Sequence, residues 1–323
     1  MREMLDLGVV PLRRRNGRGG LAPHLSIQFG SHLFSIDTSR SPKGSIQPEA
    51  YLITHAHSDH NGKSAMLSPL SIASHETARA LEIRYGQSFN GRTFHVGDEI
   101  DVCGISVKTH PTGHTIGSCA FSWKTDVGSR VLVTGDLKDY SFLPKADLLI
   151  AEANYGDPWD QGCRFEDDLG RFYEALEEGA TFGAYAFGKA QRAVALMRGM
   201  GYSDAIGMDP QSLALTKELL PGAGPLVDVA DGGAGPNVVA PSILPHVRGT
   251  KYLLTGRRDH QYKSIMISDH LDFRGLMRMF EHVSPTAAIV YHPEGPRSGL
   301  LASYLSQLGL FSLSLDGIEN TFR

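Results

Sequence analysis

"THAHSDHNG", residues 54 to 62, places three histidines and an aspartate within six positions: His55, His57, Asp59 and His60. The cluster follows directly on "AYLI" (50–53), a short apolar run that reads as a strand, so it sits on a loop at that strand's carboxyl end. His55 and His57 are two residues apart, which on an extended chain turns both rings to one side. Asp59 and His60 follow on a turn and can face a neighbouring position. Neutral imidazole and carboxylate suit zinc and its first-row neighbours. The plain alternative is a polar loop of ordinary hydrogen-bonded histidines, and the density of the cluster speaks against it.

Working outward, the cluster predicts further ligands downstream. "TGHTIGS" carries His114 in a glycine-flanked loop, where backbone can approach a site closely. "LVTGD" puts Asp136 at a strand's end, and "VYHPEG" does the same for His292. His55, His57, His114 and Asp136 form one candidate set; Asp59, His60, Asp136 and His292 form a second. Two ions sharing Asp136 would lie about 3.5–4 Å apart.

The rest of the chain bounds the reading. With 323 residues, 41% of them hydrophobic, it is long enough for two domains or one elaborated domain. A net charge of −4 does not advertise a nucleic-acid binder, so any polyanion site must be a local basic surface. The three cysteines, Cys103, Cys119 and Cys163, lack CxxC spacing and fit a reducing compartment. The first twenty residues contain no continuous apolar stretch of signal-peptide length, and no run of 18 apolar residues occurs anywhere. A cytoplasmic location with no membrane span is therefore expected.

Short β-like runs alternate with turns over residues 21 to 54. "ASHETARALEIRYG" (73–86) reads as an amphipathic helix closed by Gly86. "RVLVTGD" (130–136) and "ADLLIAEANYG" (146–156) are apolar strands leading to acids, Asp136 and Glu152. An acidic amphipathic helix is expected within 157–180, and "TFGAYAFGKAQRAVALMRGMGY" reads as strand, glycine turn and helix. "DFRGLMRMFEHV" (272–283) has helical spacing of Leu276, Met279, Phe280 and Val283. The class is α/β, with polar residues repeatedly at strand ends, where open α/β sheets build their sites.

HxHxDH, then GH, then a strand-terminal GD resemble the metallo-β-lactamase superfamily. Further stretches resemble its β-CASP nucleases: "EANYG" (152–156), "AYAFGKAQRA" (184–193), "ISDHLDF" (267–273) and "IVYHPEG" (289–295). They appear in the family's order over about residues 20 to 305. Among that family's members, the short ligase-associated DNA exonucleases and mRNA 3′-end processing factors look most similar. Pro293 departs from the glycine usual after the family's last histidine. The resemblance implies an αββα sandwich carrying an inserted small α/β β-CASP domain, with 1–156 and 251–323 forming the sandwich and 157–250 the insertion.

The resemblance also implies a nuclease with two Zn2+ ions (Mn2+ as a substitute) that cleaves phosphodiesters by metal-bound hydroxide attack. Asp59, Glu152 and His270 are then the catalytic residues. His270 is the general acid, because imidazole titrates near working pH, and Glu152 orients its ring. Ser268 and Asp269 are read more plainly as caps of the helix beginning near Asp272. Gly188, at a helix start with Lys189 and Arg192 close by, is a candidate phosphate cradle. "RRRNGR" (13–18) and "TGRRDHQYK" (255–263) could line a nucleic-acid path, or be solvated faces. Single-stranded DNA or RNA is the expected partner, with a homodimer and a functional link to a DNA ligase as further expectations. The rival readings are a small-molecule metallo-hydrolase and a non-catalytic nucleic-acid-binding subunit.

Overall fold

The computed structural model describes residues 2–14, 21, 24–41, 44, 46–60, 63–231, 235–256, 261–291, 295–318 and 321–322. The fold is mixed α/β and divides into two compact units, Met1–Cys163 with His270–Arg323, and Arg164–Asp269.

The first unit holds two seven-stranded sheets. One contains β1 (Val10–Arg14), β2 (Leu25–Phe29), β3 (His32–Ile36), β4 (Ala50–Leu52), β5 (Ser71–Ser74) and β6 (Arg92–Phe94), with β20 (Thr321–Phe322) beside β1. The other contains β7 (Glu99–Val102), β8 (Ile105–Pro111), β9 (Cys119–Lys124), β10 (Arg130–Val133) and β11 (Leu148–Glu152) in sequence order, continued by β18 (Ala287–Tyr291) and β19 (Phe311–Ser314). The sheets share one apolar core: Ile27, Phe34 and Leu52 from the first meet Phe121, Trp123, Val131 and Ile150 from the second. Phe34 lies edge-on to Trp123 at 5.6 Å, and Phe94 to Phe121 at 5.8 Å, the offset geometry aromatic rings favour.

Helices of this unit are α1 (Arg2–Asp6), α2 (Lys63–Met66), α3 (His75–Tyr85), α7 (Phe273–Val283) and α8 (Arg297–Gln307). The helix expected over 73–86 is α3. Ser74 caps it by accepting from Thr77 N, and Gly86 ends it in the left-handed conformation, φ 62°. The helix expected from 272 is α7, with Leu276, Met279, Phe280 and Val283 buried. Asp272 itself accepts from Gly275 N, so the cap is Asp272 and not Ser268 or Asp269.

The second unit is built on a six-stranded sheet, every pair parallel. Its order is β14 (Leu226–Asp228), β13 (Ile206–Met208), β15 (Asn237–Val239), β12 (Thr181–Gly183), β16 (Lys251–Leu254), β17 (Lys263–Ile265). Its helices are α4 (Leu169–Glu177), α5 (Lys189–Gly199) and α6 (Pro210–Leu219). Phe172, Phe182, Val194, Met208 and Val238 centre its own core. The unit runs to Asp269, beyond the expected boundary at 250, because β16 and β17 extend the sheet from β12. It begins at Arg164, later than the expected 157, since the 3-10 turn Gln161–Cys163 packs with the first unit. Among the described residues, no helix is long and apolar enough to cross a membrane.

Strand ends position the polar loops in the first unit. Gly135, just past β10, has φ 62°, and a Cβ there would sit 2.5 Å from Thr54 Oγ1 and 2.6 Å from Thr54 Cβ. Only glycine permits both the conformation and the approach. Gly135→Ala should therefore cost about 2–4 kcal/mol, combining left-handed strain with overpacking. Denaturant unfolding measures this, and a loss below about 0.5 kcal/mol would mean that Thr54 moves aside freely.

Candidate metal centre

The loop after β4 carries Thr54, His55, His57 and His60, and Asp37, in one case through Thr54, fixes how two of these rings present themselves. Asp37 follows β3 in the left-handed region, φ 50°. Its carboxylate accepts from Thr54 N at 2.8 Å and from Thr54 Oγ1 at 2.7 Å. The Thr54 hydroxyl has one proton, and it goes to Asp37. Its 3.0 Å contact with His55 Nδ1 must then be donated by the ring. His60 Nδ1 likewise donates to Asp37 Oδ2 at 3.1 Å. Both rings are set in the tautomer that leaves Nε2 as the lone-pair nitrogen, the usual arrangement behind a metal-ligating histidine.

These nitrogens converge on Asp136. His55 Nε2 lies 3.8 Å from Asp136 Oδ2, His114 Nε2 3.6 Å from the same oxygen, and His57 Nδ1 3.0 Å from His114 Nε2. Ligand atoms of His55, His57, His114 and Asp136 all fall within 4.8 Å of one another. A tetrahedral ion with bonds near 2.1 Å holds its ligand atoms about 3.4 Å apart, so the spacing fits. A second observation agrees. His60 Nε2 and Asp136 Oδ1 face each other at 3.2 Å, and among the described residues neither buried atom makes a hydrogen bond of acceptable geometry. With Nδ1 of His60 already given to Asp37, these two buried atoms are placed where ligands around a cation would stand. The buried groups can hold a metal ion.

Electrostatics supports the same conclusion. Burial, reinforced by the neighbouring imidazoles of His60, His114 and His57, pushes His55 well below the usual histidine range, so it stays neutral and able to ligate. Burial works to raise Asp136, but His60, His270 and His114 outweigh it and hold the carboxyl well below its usual range. Burial also opposes a charge on His60, yet the carboxylates of Asp136 and Asp37 win and raise it well above normal.

The loops themselves are pinned. Arg84, in the last turn of α3, donates to Ala56 O, between the two leading histidines. At the opposite end of α3, Ser74 Oγ and Thr77 Oγ1 donate to Gly117 O at 2.7 and 3.1 Å, holding the His114 loop. Cys119 N donates to Thr54 O at 3.0 Å and joins the two loops directly.

Glu152, fully buried at the end of β11, accepts from Leu137 N at 2.7 Å and from Asn154 Nδ2 at 2.6 Å. It also lies 2.9 Å from His270 Nδ1, which donates to it. Asn154 Nδ2 stands 3.2 Å from that nitrogen, but a protonated Nδ1 cannot accept, so the amide serves Glu152. His270 Nδ1 is 3.8 Å from Asp136 Oδ2, and its ring lies 4.6 Å from that of His114. Leu271 N donates to Leu137 O at 3.0 Å and keeps His270 beside the Asp136 strand.

Other expected site residues are placed differently. Asp59 is exposed and joins none of the ligand groups among the described residues. His292 and Pro293 lie outside the described residues. In the second unit, Lys189 Nζ is 3.8 Å from Asp269 Oδ2, and Arg192 pairs with Asp167 and, at 3.9 Å, with Asp269 Oδ1. Gly188 N donates to Gln191 Oε1 at 2.7 Å. The candidate phosphate groups are thus engaged by the unit's own acceptors. Arg13 is buried and pairs with Asp316 at 3.1 Å, while residues 15–18 and 257–260 of the two basic runs lie outside the described residues.

Three residues escaped the sequence reading. Asp37, in "SIDT", had a strand-end position as its only signal. His24 is buried with φ 63°, and its Nε2 donates to Asp59 O at 2.7 Å while its ring packs 4.5 Å from His60. Burial and the nearby His60 push His24 below the usual range, which keeps it neutral. Tyr291 stands edge-on to His24 at 5.4 Å, and its buried hydroxyl makes no hydrogen bond among the described residues.

No family model matches this chain, and no curated protein matches it. A crystal structure of a protein of unknown function from Enterococcus faecalis V583 is similar to it, with a TM-score of 0.63 at 12% identity, covering 95% of this chain and 97% of that one. At that identity the likeness is one of fold.

His24→Ala should weaken metal binding roughly ten-fold, as loss of an outer hydrogen-bonding partner does. His24→Gln, which can still donate to the Asp59 carbonyl, should recover most of it. Chelator competition reads both values; equal affinity in wild type and His24→Ala would show that the Asp59 turn holds itself.

Proposed function

We propose that this protein is a metal-dependent nuclease that hydrolyses phosphodiester bonds of DNA or RNA at a centre of two zinc ions. The fold proposed with it is a metallo-β-lactamase sandwich interrupted by a β-CASP-type insertion. The observation that carries the reading is the sharing of Asp136. One carboxylate stands beside the imidazoles of His55, His60 and His114, and also beside the ring of His270, which Glu152 anchors. A ligand cluster and a positioned acid–base group at one carboxylate are the parts a phosphodiester hydrolase requires. Two packed sheets interrupted at Cys163 and resumed at His270 agree with the proposed fold.

His55, His57, His114 and Asp136 would hold one ion; His60 and Asp136 would contribute to the other. The nitrogen and oxygen donors favour zinc, with manganese as an alternative. Such ions supply an activated water at neutral pH and offset charge on phosphoryl oxygens. The chain's own residues do the rest. Glu152 holds the Nδ1 proton of His270 and so directs the opposite nitrogen, Nε2, as the one to exchange protons. When that nitrogen is protonated, it can deliver its proton to the departing oxygen as the phosphorus–oxygen bond breaks. Leu137 N and Asn154 Nδ2 donate one to each oxygen of Glu152, which restrains its carboxylate beside the ring.

Incubation with end-labelled single- and double-stranded RNA and DNA, with zinc or manganese, tests this reading. Strand scission that chelation stops and metal restores is expected; a fully metal-loaded protein inert toward all four would end the proposal. His270→Ala should retain its metal while slowing scission by roughly 10²-fold or more. Asp136→Asn should lower occupancy of both ions, measured as metal per protein; loss of one alone would contradict a shared carboxylate.

A further inference from the structure

We propose that Trp159, standing edge-on to Tyr304, is a stacking subsite for one base of a single-stranded nucleic acid beside the candidate metal centre. The inference rests on the nuclease reading and adds a place where one base of the strand would be held.

The chain has two tryptophans, and they are placed in opposite ways. Trp123 is in the core of the first unit, whereas Trp159 is 71% exposed. A large aromatic left this open has forgone a substantial burial gain. Its exposure does not come from a slack loop. Asp157 Oδ1 accepts from Trp159 N at 2.9 Å and from Asp160 N at 3.3 Å, and Asp160 Oδ1 accepts from Gly162 N at 2.7 Å. Asp160 Oδ2 also lies 3.7 Å from Arg297 Nη2. The two aspartates are turned into the loop's own amides and Arg297, so the indole is what the loop offers to solvent.

The position is continuous with the centre. Arg297 donates to Asn154 O, and its guanidinium lies 5.6 Å from the Tyr155 ring centre. The Tyr155 ring stands 6.1 Å from that of His270. Trp159 is four positions on from Tyr155, so their Cα atoms are at most about 14 Å apart. On the other side, the Tyr304 ring meets Trp159 at 6.2 Å and 88°, and Phe273 backs Tyr304 at 5.6 Å. The perpendicular packing against Tyr304 braces the indole, and at 71% exposure most of its surface stays in solvent. A base in a duplex has both faces covered by its neighbours, whereas a base in a single strand can place one on an indole. Stacking also tolerates every base, which suits a site that reads backbone chemistry and not sequence.

The two tryptophans make the test direct, because buried Trp123 gives a constant background. Metal-loaded protein is titrated with a phosphorothioate oligothymidylate, which resists hydrolysis, while intrinsic fluorescence and, separately, anisotropy of a labelled strand are followed. Saturable quenching is expected with wild type and not with Trp159→Phe, and the matching blunt duplex should quench little. Trp159→Ala should bind the strand roughly ten-fold more weakly, the loss typical of one stacked base. Trp159→Phe, which keeps an aromatic face, should fall in between. Unchanged strand affinity in Trp159→Ala overturns the subsite, and if that variant cleaves normally the nuclease reading survives it. Wild type that neither binds nor cuts any strand defeats the nuclease reading, and the subsite with it. A shift from dimer to monomer in Trp159→Ala, with strand affinity unchanged, would assign the indole to a second copy of the chain and also overturn the proposal.

Discussion

A carboxylate taken out of water must be given positive charge or hydrogen-bond donors, or it loses its ionisation. Asp136 is such a carboxylate, and the candidate site of the first unit is arranged around that demand. The sandwich interior supplies none of the compensation: Phe121, Val131 and Ile150 are apolar. It comes instead from loops at strand ends, which bring His55, His60, His114 and His270 to its oxygens. Asp37, one layer out, directs the protons of His60 and, through Thr54, of His55. The buried charge of Asp136 thus gathers the imidazoles, while the carboxylates behind them, Asp37 and Glu152, decide which nitrogen His55, His60 and His270 show.

The same demand explains why the ligand half of the site was legible in the sequence. A histidine pair two apart after an apolar run is a local pattern, and local patterns survive folding. Asp136 and Glu152 follow from strand periodicity in the same way, as do the helices at 75–85 and 273–283. His24 and Asp37 were not legible, because their roles depend on backbone turned into the left-handed region and on rings packed across 36 residues of sequence, from His24 to His60. Asp59 shows the converse. Its motif position marks its carboxylate as a ligand, and the contact that the sequence did not show is the one its carbonyl makes with His24.

The second unit was hardest to delimit for a related reason. Its parallel sheet joins Thr181 to Lys251, and nothing in a short run of residues announces a pairing across seventy positions; Tyr252 then pairs with Lys263 and carries the sheet further. The balance of Lys189 and Arg192 against Asp167 and Asp269 is likewise a long-range matter. A basic pair beside a glycine looks like an anion cradle until its partners are known.

Helix α3 has a consequence of its own. One end grips the carbonyl between His55 and His57, and the other grips the carbonyl of Gly117. The separation of the two histidine loops is therefore set by a rigid rod together with the direct Cys119–Thr54 bond, and would not have to be set by an ion bound between them. An incoming cation finds its seat already cut to size. Swapping one divalent species for another then becomes a question of solution supply and exchange rate, with no part of the polypeptide having to melt and re-form.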